Sequence, residues 1–258
     1  MLLKKYAYEY IASMMVAVVA LCYYFVDHQL IGLCISIIAI FAILFIQNIC
    51  SIKLYDFIYN IHNGHLSTFE KNKHQLIHRP IRLLEKILYG TMMGEYLYLR
   101  GDKEEGKQIL QQIISQYGQK HSMIYRHYVK QDLAMLCMFL LVEGDIQQAN
   151  IYMEKKQDKP SPLLAIGNLK NIDIIFQFTQ EALQYEKDHQ PKRLYHLRMC
   201  LENELELYTR MYLMMYLARC YEVVDKDIAR SYYQSVAMYG NEFDIRKQAQ
   251  AKCKEMDI

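Results

Sequence analysis

The sequence predicts an all-α protein with a transmembrane helical hairpin at its N-terminus and a larger body of about four helical hairpins. Three observations predict this class. Two apolar segments, without a charged residue from Ile11 to Val26 and from Leu30 to Cys50, occupy the first fifty residues. After Pro80, apolar residues recur at three- and four-residue spacing, which is typical of amphipathic helices. No alternating run of useful length suggests a strand.

The two predicted spans cover residues 6–26 and 30–49. About 20 helical residues cross a hydrocarbon core of about 30 Å, and both segments have that length. Tyrosines lie at both ends of the first segment, where aromatic rings favour the headgroup layer. Residues 27–29 allow only a tight turn, so the spans are expected to be antiparallel. Gly32 and Ser36 are predicted to let the spans pack closely.

The distribution of positive charge predicts the orientation of the hairpin. Two lysines precede the first span, Lys53 follows the second, and the turn carries Asp27. The positive-inside rule therefore predicts an integral protein of a plasma or inner membrane with both termini in the cytoplasm. A cleaved signal peptide is disfavoured, because no small-x-small cleavage site follows Phe25 and a second span comes at once.

The hairpin is assigned to residues 1–52, a juxtamembrane connector to 53–80 and the cytoplasmic body to 81–258. Asn63-Gly64 is expected to end a helix within the connector, because glycine accepts a left-handed backbone. Four histidines cluster in the same region: His62, His65, His74 and His78. Because a zinc site needs further ligands and a defined second shell, no metal site is predicted.

Composition and motifs argue against several functions. A net charge of +2 gives no strong attraction to nucleic acid, and seven scattered cysteines without a CxxC pair fit neither a disulfide framework nor a zinc site. There is no phosphate-binding glycine loop, HExxH or GxSxG. Glu202, Glu204 and Glu206 fan out around a helix instead of facing one another. We therefore predict no catalytic residue and no cofactor, and expect that the chain is not an enzyme.

The body is predicted to consist of helix pairs joined by short turns. Apolar helical patterns lie on both sides of each turn, and the third turn is expected at residues 187–189. One amphipathic hairpin cannot bury its apolar face alone, so successive hairpins are expected to stack around a shared core. The remaining turns are predicted at Gly101, Asp102, Gly144, Asp145 and Asp225.

Two of these turns resemble the turn of tetratricopeptide (TPR) repeats. In GDIQQA, from Gly144 to Ala149, Gly-Asp closes the first helix and a small residue five positions after the glycine lets the second helix pack against it. GDKEEG, from Gly101 to Gly106, is similar, and Gly94 falls where the family favours a small residue. The resemblance covers roughly residues 83–256, although the turns recur at about 40 residues and TPR units at about 34. It implies a TPR-like α-solenoid with a curved groove.

Together these features predict a membrane-anchored protein–protein interaction scaffold that presents its solenoid at the inner membrane surface. The expected partner is a protein or peptide, and Tyr208, Tyr212 and Tyr216 are the candidate contact residues because they form a stripe on one helix. The alternative is that this helix is the packed centre of the body, which its all-round apolar character favours. A second hypothesis is an accessory subunit of a membrane transport or secretion complex, docked through the hairpin. A third is an enzyme with an unrecognised site. The oligomeric state stays open.

Overall fold

The computed structural model describes residues 2–27, 35–39, 56–73, 83–118, 123–155 and 169–256, and every regular element in these ranges is an α-helix. The all-α class is confirmed. The chain divides into two compact units, Met1–Tyr59 and Asn60–Ile258. The boundary falls inside the predicted connector, so the connector residues from Asn60 onward belong to the larger unit.

The first unit contains α1 (Leu2–Asp27), and residues 35–39 are also helical. The uncharged stretch of α1, between Glu9 and Asp27, holds 17 residues. At about 1.5 Å per residue it extends about 25 Å, which is short of the roughly 30 Å of a hydrocarbon core. In the described part of the chain, no helix has both the length and the apolar character to cross a membrane. The predicted transmembrane hairpin of residues 1–52 is therefore wrong.

Two further predictions rested on that hairpin. The predicted integral-membrane localisation with both termini in the cytoplasm is wrong for the same reason. The second predicted span overlaps the described ranges only at residues 35–39, where Ser36 is exposed. Gly32, its predicted packing neighbour, lies outside the described residues.

The described part of the larger unit consists mainly of helix pairs, each joined by a short turn. Its described helices are α2 (Leu66–Asn72), α3 (Leu83–Arg100), α4 (Lys103–Tyr117), α5 (Met123–Glu143), α6 (Ile146–Glu154), α7 (Leu169–Asp188), α8 (Pro191–Leu201), α9 (Leu207–Tyr221), α10 (Lys226–Tyr239) and α11 (Asp244–Met256). They form the pairs α3–α4, α5–α6, α7–α8 and α9–α10, preceded by the short α2 and followed by α11.

The core lies around α5 and α9. Every residue from 131 to 141 in α5 is buried, and α9 is buried on most of its circumference. Both helices are apolar nearly all round, which is the pattern of a helix enclosed by others. Around them, α5 packs against α3, α4, α6, α7 and α9, and α9 packs against α8, α10 and α11.

These contacts differ from those of the predicted TPR-like solenoid. In a solenoid each repeat contacts only its neighbours. Here α9, in the fourth pair, packs directly on α5, in the second pair, and α11 reaches α3, in the first pair. The pairs therefore close upon one another, and the arrangement gives no evidence for TPR repeats.

The Gly-Asp turns share one geometry. Gly101 and Gly144 have φ of +116° and +84°, a left-handed conformation that favours glycine. The following amide of Asp102 donates to the Leu97 carbonyl at 2.9 Å, and that of Asp145 donates to the Leu140 carbonyl at 2.9 Å, as in a Schellman ending. Each turn thus satisfies the last carbonyls of one helix while starting the next.

Three turns are each followed by a small residue, Gly106, Ala149 or Ala229, and each of these residues is buried where two helices pack together. Ala149 and Ala229 are completely buried. At Gly106 an added Cβ would lie 2.6 Å from the Gly94 carbonyl oxygen and 2.7 Å from the Tyr98 nitrogen. Because backbone atoms stand in the way, only glycine permits the observed approach of α4 to α3.

Candidate functional site

A clasp formed by residues 60–73 brings one charged side chain into the body. A helix ends at His62, and Gly64 turns the chain with φ +73°. The Asn241 amide donates to the Asn63 carbonyl at 2.7 Å. Ser67 donates through its backbone N–H and its hydroxyl to the Glu242 carboxylate, at 2.6 and 2.8 Å. The clasp is therefore fixed to the turn between α10 and α11.

His62 lies between two carboxylates inside the body. Its Nε2 is 2.8 Å from Glu95 Oε2 in α3, and its Nδ1 is 3.1 Å from Glu206 Oε2 before α9. The His62 and Glu95 side chains are almost inaccessible, whereas 34% of the Glu206 side chain is exposed. The imidazole also contacts the Tyr208 ring at a centroid distance of 4.5 Å.

Amide side chains extend these contacts into what we term the His62 network. Gln131 of α5 donates to Glu95 Oε1 at 3.0 Å. Asn171 of α7 donates through Nδ2 to Glu206 Oε2 at 3.2 Å and to Thr209 Oγ1 at 3.1 Å. The network thereby joins the clasp to four helical regions. Its members are His62, Glu95, Gln131, Asn171, Glu206 and Thr209.

The two carboxylates keep His62 protonated. Burial opposes the charged imidazolium, but Glu206 and Glu95 outweigh it and raise the pKa of His62 from 6.5 to about 10. Burial also acts against the charged form of Glu206, yet the His62 cation lowers the pKa of that carboxyl below its ordinary value. A charged bridge between clasp and body is therefore the stable state at neutral pH.

Asp132 adds a buried carboxyl group beside the network. The side chain is completely buried in α5, and burial raises its pKa well above the ordinary value. Thr91 lies near enough to oppose this rise, but its hydroxyl and the carboxyl oxygens do not meet hydrogen-bond geometry. The nearby Glu95 carboxylate adds to the rise, so the surroundings of Asp132 favour its protonated form.

The geometry suits structural fixation more than chemistry. Both imidazole nitrogens of His62 already face carboxylate oxygens, so neither is open to a metal ion or a substrate. Across the ranges that the structure covers, no group of three or more histidine, cysteine or acidic side chains could hold a metal. Of the other clustered histidines, His65 is exposed, and His74 and His78 lie outside the described residues.

The three candidate tyrosines lie in the core. Tyr208, Tyr212 and Tyr216 on α9 are each about 1% exposed. The Tyr216 hydroxyl donates to Glu186 Oε1 at 2.9 Å. The Tyr98 ring stacks on Phe139, and both rings contact Tyr212. This burial favours the alternative interpretation, in which the helix is the packed centre of the body.

The predicted turn residues lie at helix starts. Asp145 accepts a bond from the Gln148 amide, and Asp225 accepts bonds from the amides of Asp227 and Ile228, so both cap the helices that follow them. Asp102 precedes α4 without such a side-chain bond. Asp145 and Asp225 therefore have a structural role as helix caps.

The sequence interpretation missed the His62 network. Glu206 was placed on a solvated face with Glu202 and Glu204, but it alone reaches the core. A signal was available in α3, where Glu95 interrupts an apolar stripe. An acid at such a position needs a buried partner.

Comparisons with protein families, with curated proteins and with solved structures give no match. No relative therefore assigns a function to the His62 network, and the resemblance to TPR repeats stays an expectation from the turn motifs.

Proposed function

We propose that this chain is a protein–protein interaction scaffold, and that α1 is the element that enters a groove on a protein partner. The observation that carries the proposal is the exposure of α1. Val16 and Val19 are 70% and 69% exposed, and Tyr23 is 79% exposed. Large contiguous apolar surfaces typically mark interaction sites.

The chemistry of α1 favours an apolar groove on the partner as its binding site. From Ile11 to Val26 the chain carries no charge, so nothing in this stretch favours a charged partner surface. Residues are exposed on most sides of the helix, including the small Ala17 and Ala20 that allow close approach. A helix laid into a hydrophobic groove buries such a surface, at about 25 cal/mol per Å² of apolar area.

The larger unit supports a scaffold role through contacts that join segments far apart in sequence. The His62 network holds the clasp against helices that lie far apart in sequence. Capped turns and a glycine contact fix the helix pairs. A scaffold benefits from a body that keeps its shape, because less conformational entropy is lost on binding.

Photo-crosslinking in the native host tests the proposal. A photoreactive amino acid replaces Val19 in the full-length chain, and a matched chain carries it at Met238, which is 66% exposed on α10. We expect a discrete crosslinked protein from position 19 that is absent from position 238. Adding Val16→Ser to the position-19 chain should reduce the crosslinking yield, because a hydroxyl replaces methyl groups that the partner's groove would bury.

Two results would end the proposal. One is crosslinking from position 19 to lipid or solvent alone, with no protein adduct. The other is an identical set of protein adducts from positions 19 and 238, since that pattern indicates proximity without a specific surface. Circular dichroism of the purified variants checks that the helical content is retained.

A further inference from the structure

Four exposed residues of helix α8 and its C-cap lie along one stripe. Lys192, Tyr195, Met199 and Glu202 follow one another at steps of three, four and three residues, and all four are exposed. Tyr195 is 60% exposed and Met199 is 40% exposed. Steps of three and four keep residues on one helical face. The opposite face packs into the body through Leu194, Leu197 and Cys200.

Side chains beside the stripe are engaged within their own chain. Arg193 pairs with Glu181 at 3.1 Å, and His196 Nδ1 lies 3.3 Å from the same carboxylate. Arg198 interacts with Tyr221. In contrast, neither Lys192 nor Glu202 has a side-chain hydrogen bond or ion pair among the described residues. The stripe therefore has a positive end, an apolar centre and a negative end.

We propose that α8 docks antiparallel against α8 of a second copy of this chain, with the two-fold axis opposite Leu197. Tyr195 then faces Met199 of the second copy, and Lys192 faces Glu202 of the second copy, each pair occurring twice. Lys192 and Glu202 both lie five residues from the axis, about 7.5 Å at 1.5 Å per residue. In the antiparallel pair, Lys192 of one copy is therefore level with Glu202 of the other. This is the self-complementary pattern that an isologous interface requires.

Charge complementarity favours a second copy of this chain as the partner that docks on the stripe. Reversing the direction of the stripe exchanges its positive and negative ends, so the stripe matches itself only when antiparallel. A parallel pair would place like charges together, which is unfavourable. Two helices of 11 residues bury less than a standard interface of about 1,600 Å². We therefore expect a weak dimer, with a dissociation constant in the micromolar range.

Sedimentation velocity on the full-length chain, from about 1 to about 200 µM, measures this dimer, since the range brackets weak interfaces. Lys192→Glu and Glu202→Lys each replace two attractive pairs by two repulsive ones, and each should weaken the dimer about tenfold. Combining the two substitutions in one chain restores opposite charges across the axis. The double variant should recover the affinity of the wild type.

The apolar centre provides a second test. Tyr195→Ser with Met199→Ser should abolish the dimer, whereas Met238→Ser with Tyr239→Ser, an exposed pair on α10, should leave it unchanged. A wild type that is monomeric at the highest concentration, or a self-association that ignores all α8 variants, overturns the proposal. Failure of the charge-swapped chain to recover overturns the antiparallel register.

The inference does not depend on the proposed partner of α1, because α8 belongs to the other compact unit. Association through α1 would not respond to substitutions in α8. Thermal melts of every variant confirm folding, and the exposed positions make large losses of stability unexpected.

Discussion

Replacing His62 by glutamine should remove a pH-dependent part of the stability. In the folded protein the pKa of His62 is raised from 6.5 to about 10. A raised pKa gives a contribution that is complete below pH 6.5 and is lost as the pH rises through about 10. Glutamine keeps a hydrogen-bond donor but cannot carry the positive charge that Glu95 faces.

The pKa shift sets the magnitude. With the unfolded pKa at 6.5 and the folded pKa at about 10, the charged His62 contributes at most about 4 kcal/mol at pH 6.5 and about 2 kcal/mol at pH 8.5. These are upper values, because 34% of the Glu206 side chain is exposed and its attraction is screened. The wild type should therefore lose up to about 2 kcal/mol over this pH range that the variant does not lose.

Urea denaturation followed by far-ultraviolet circular dichroism at pH 6.5, 7.5 and 8.5 measures the difference. The range stops below pH 9, because above it thiols such as Cys137 ionise in the unfolded chain. In the folded protein burial raises the pKa of Cys137 from 9.0 to about 12, so this difference would add its own pH dependence. His65→Gln, at an exposed position three residues away, is the matched control and should follow the wild type. If wild type and His62→Gln lose stability in parallel, the His62 bridge is not the charged pair that the geometry indicates.

Three other substitutions test the helix packing at Gly106, the buried carboxyl group of Asp132 and the helix cap at Asp225. Gly106→Ala should lower the free energy of unfolding by about 1–3 kcal/mol, because its methyl meets backbone atoms, while exposed Gln108→Ala should change little in urea denaturation. Asp132→Asn should raise the melting temperature at pH 7 and lose that advantage towards pH 4, because a raised carboxyl pKa disfavours the folded state above its unfolded value of 3.8. Asp225→Ala should cost about 1 kcal/mol in chemical denaturation, more than Asp102→Ala, which removes no cap bond. Equal unfolding free energies for Gly106→Ala and Gln108→Ala, or for Asp225→Ala and Asp102→Ala, would contradict the packing or the cap assignment. A melting-temperature difference for Asp132→Asn that does not change with pH would contradict the raised carboxyl pKa.

Local signals predicted the helix pairs of the larger unit well. Gly144 and Asp145 lie where α5 ends and α6 begins, and Asp225 lies where α10 begins. These turns could be read from the sequence because glycine at positive φ and a capping carboxylate act within a few residues. Contacts between pairs depend on residues far apart in the chain, so the packing of α9 on α5 left no local signature.

The error at the N-terminus arose because the sequence pattern does not identify the surroundings of a helix. An apolar run predicts burial in something apolar, but it does not specify what that is. The prediction counted a span from Tyr6 and so included Glu9, whereas the uncharged stretch of α1 is 17 residues long. In the described part of the chain, no helix combines the length and the apolar character that a bilayer requires.

The His62 network links the closure of the body to the clasp. Removing one partner from a buried charge pair leaves an uncompensated charge, which is far more costly than replacing the whole pair. His62 belongs to the clasp, whereas Glu95 and Gln131 belong to the core helices, so the body satisfies Glu95 only when the clasp is docked. Stacked apolar pairs tolerate shifts in register more readily than a bridge at 2.8 Å. The network therefore specifies one closed arrangement among those that hydrophobic burial alone would allow.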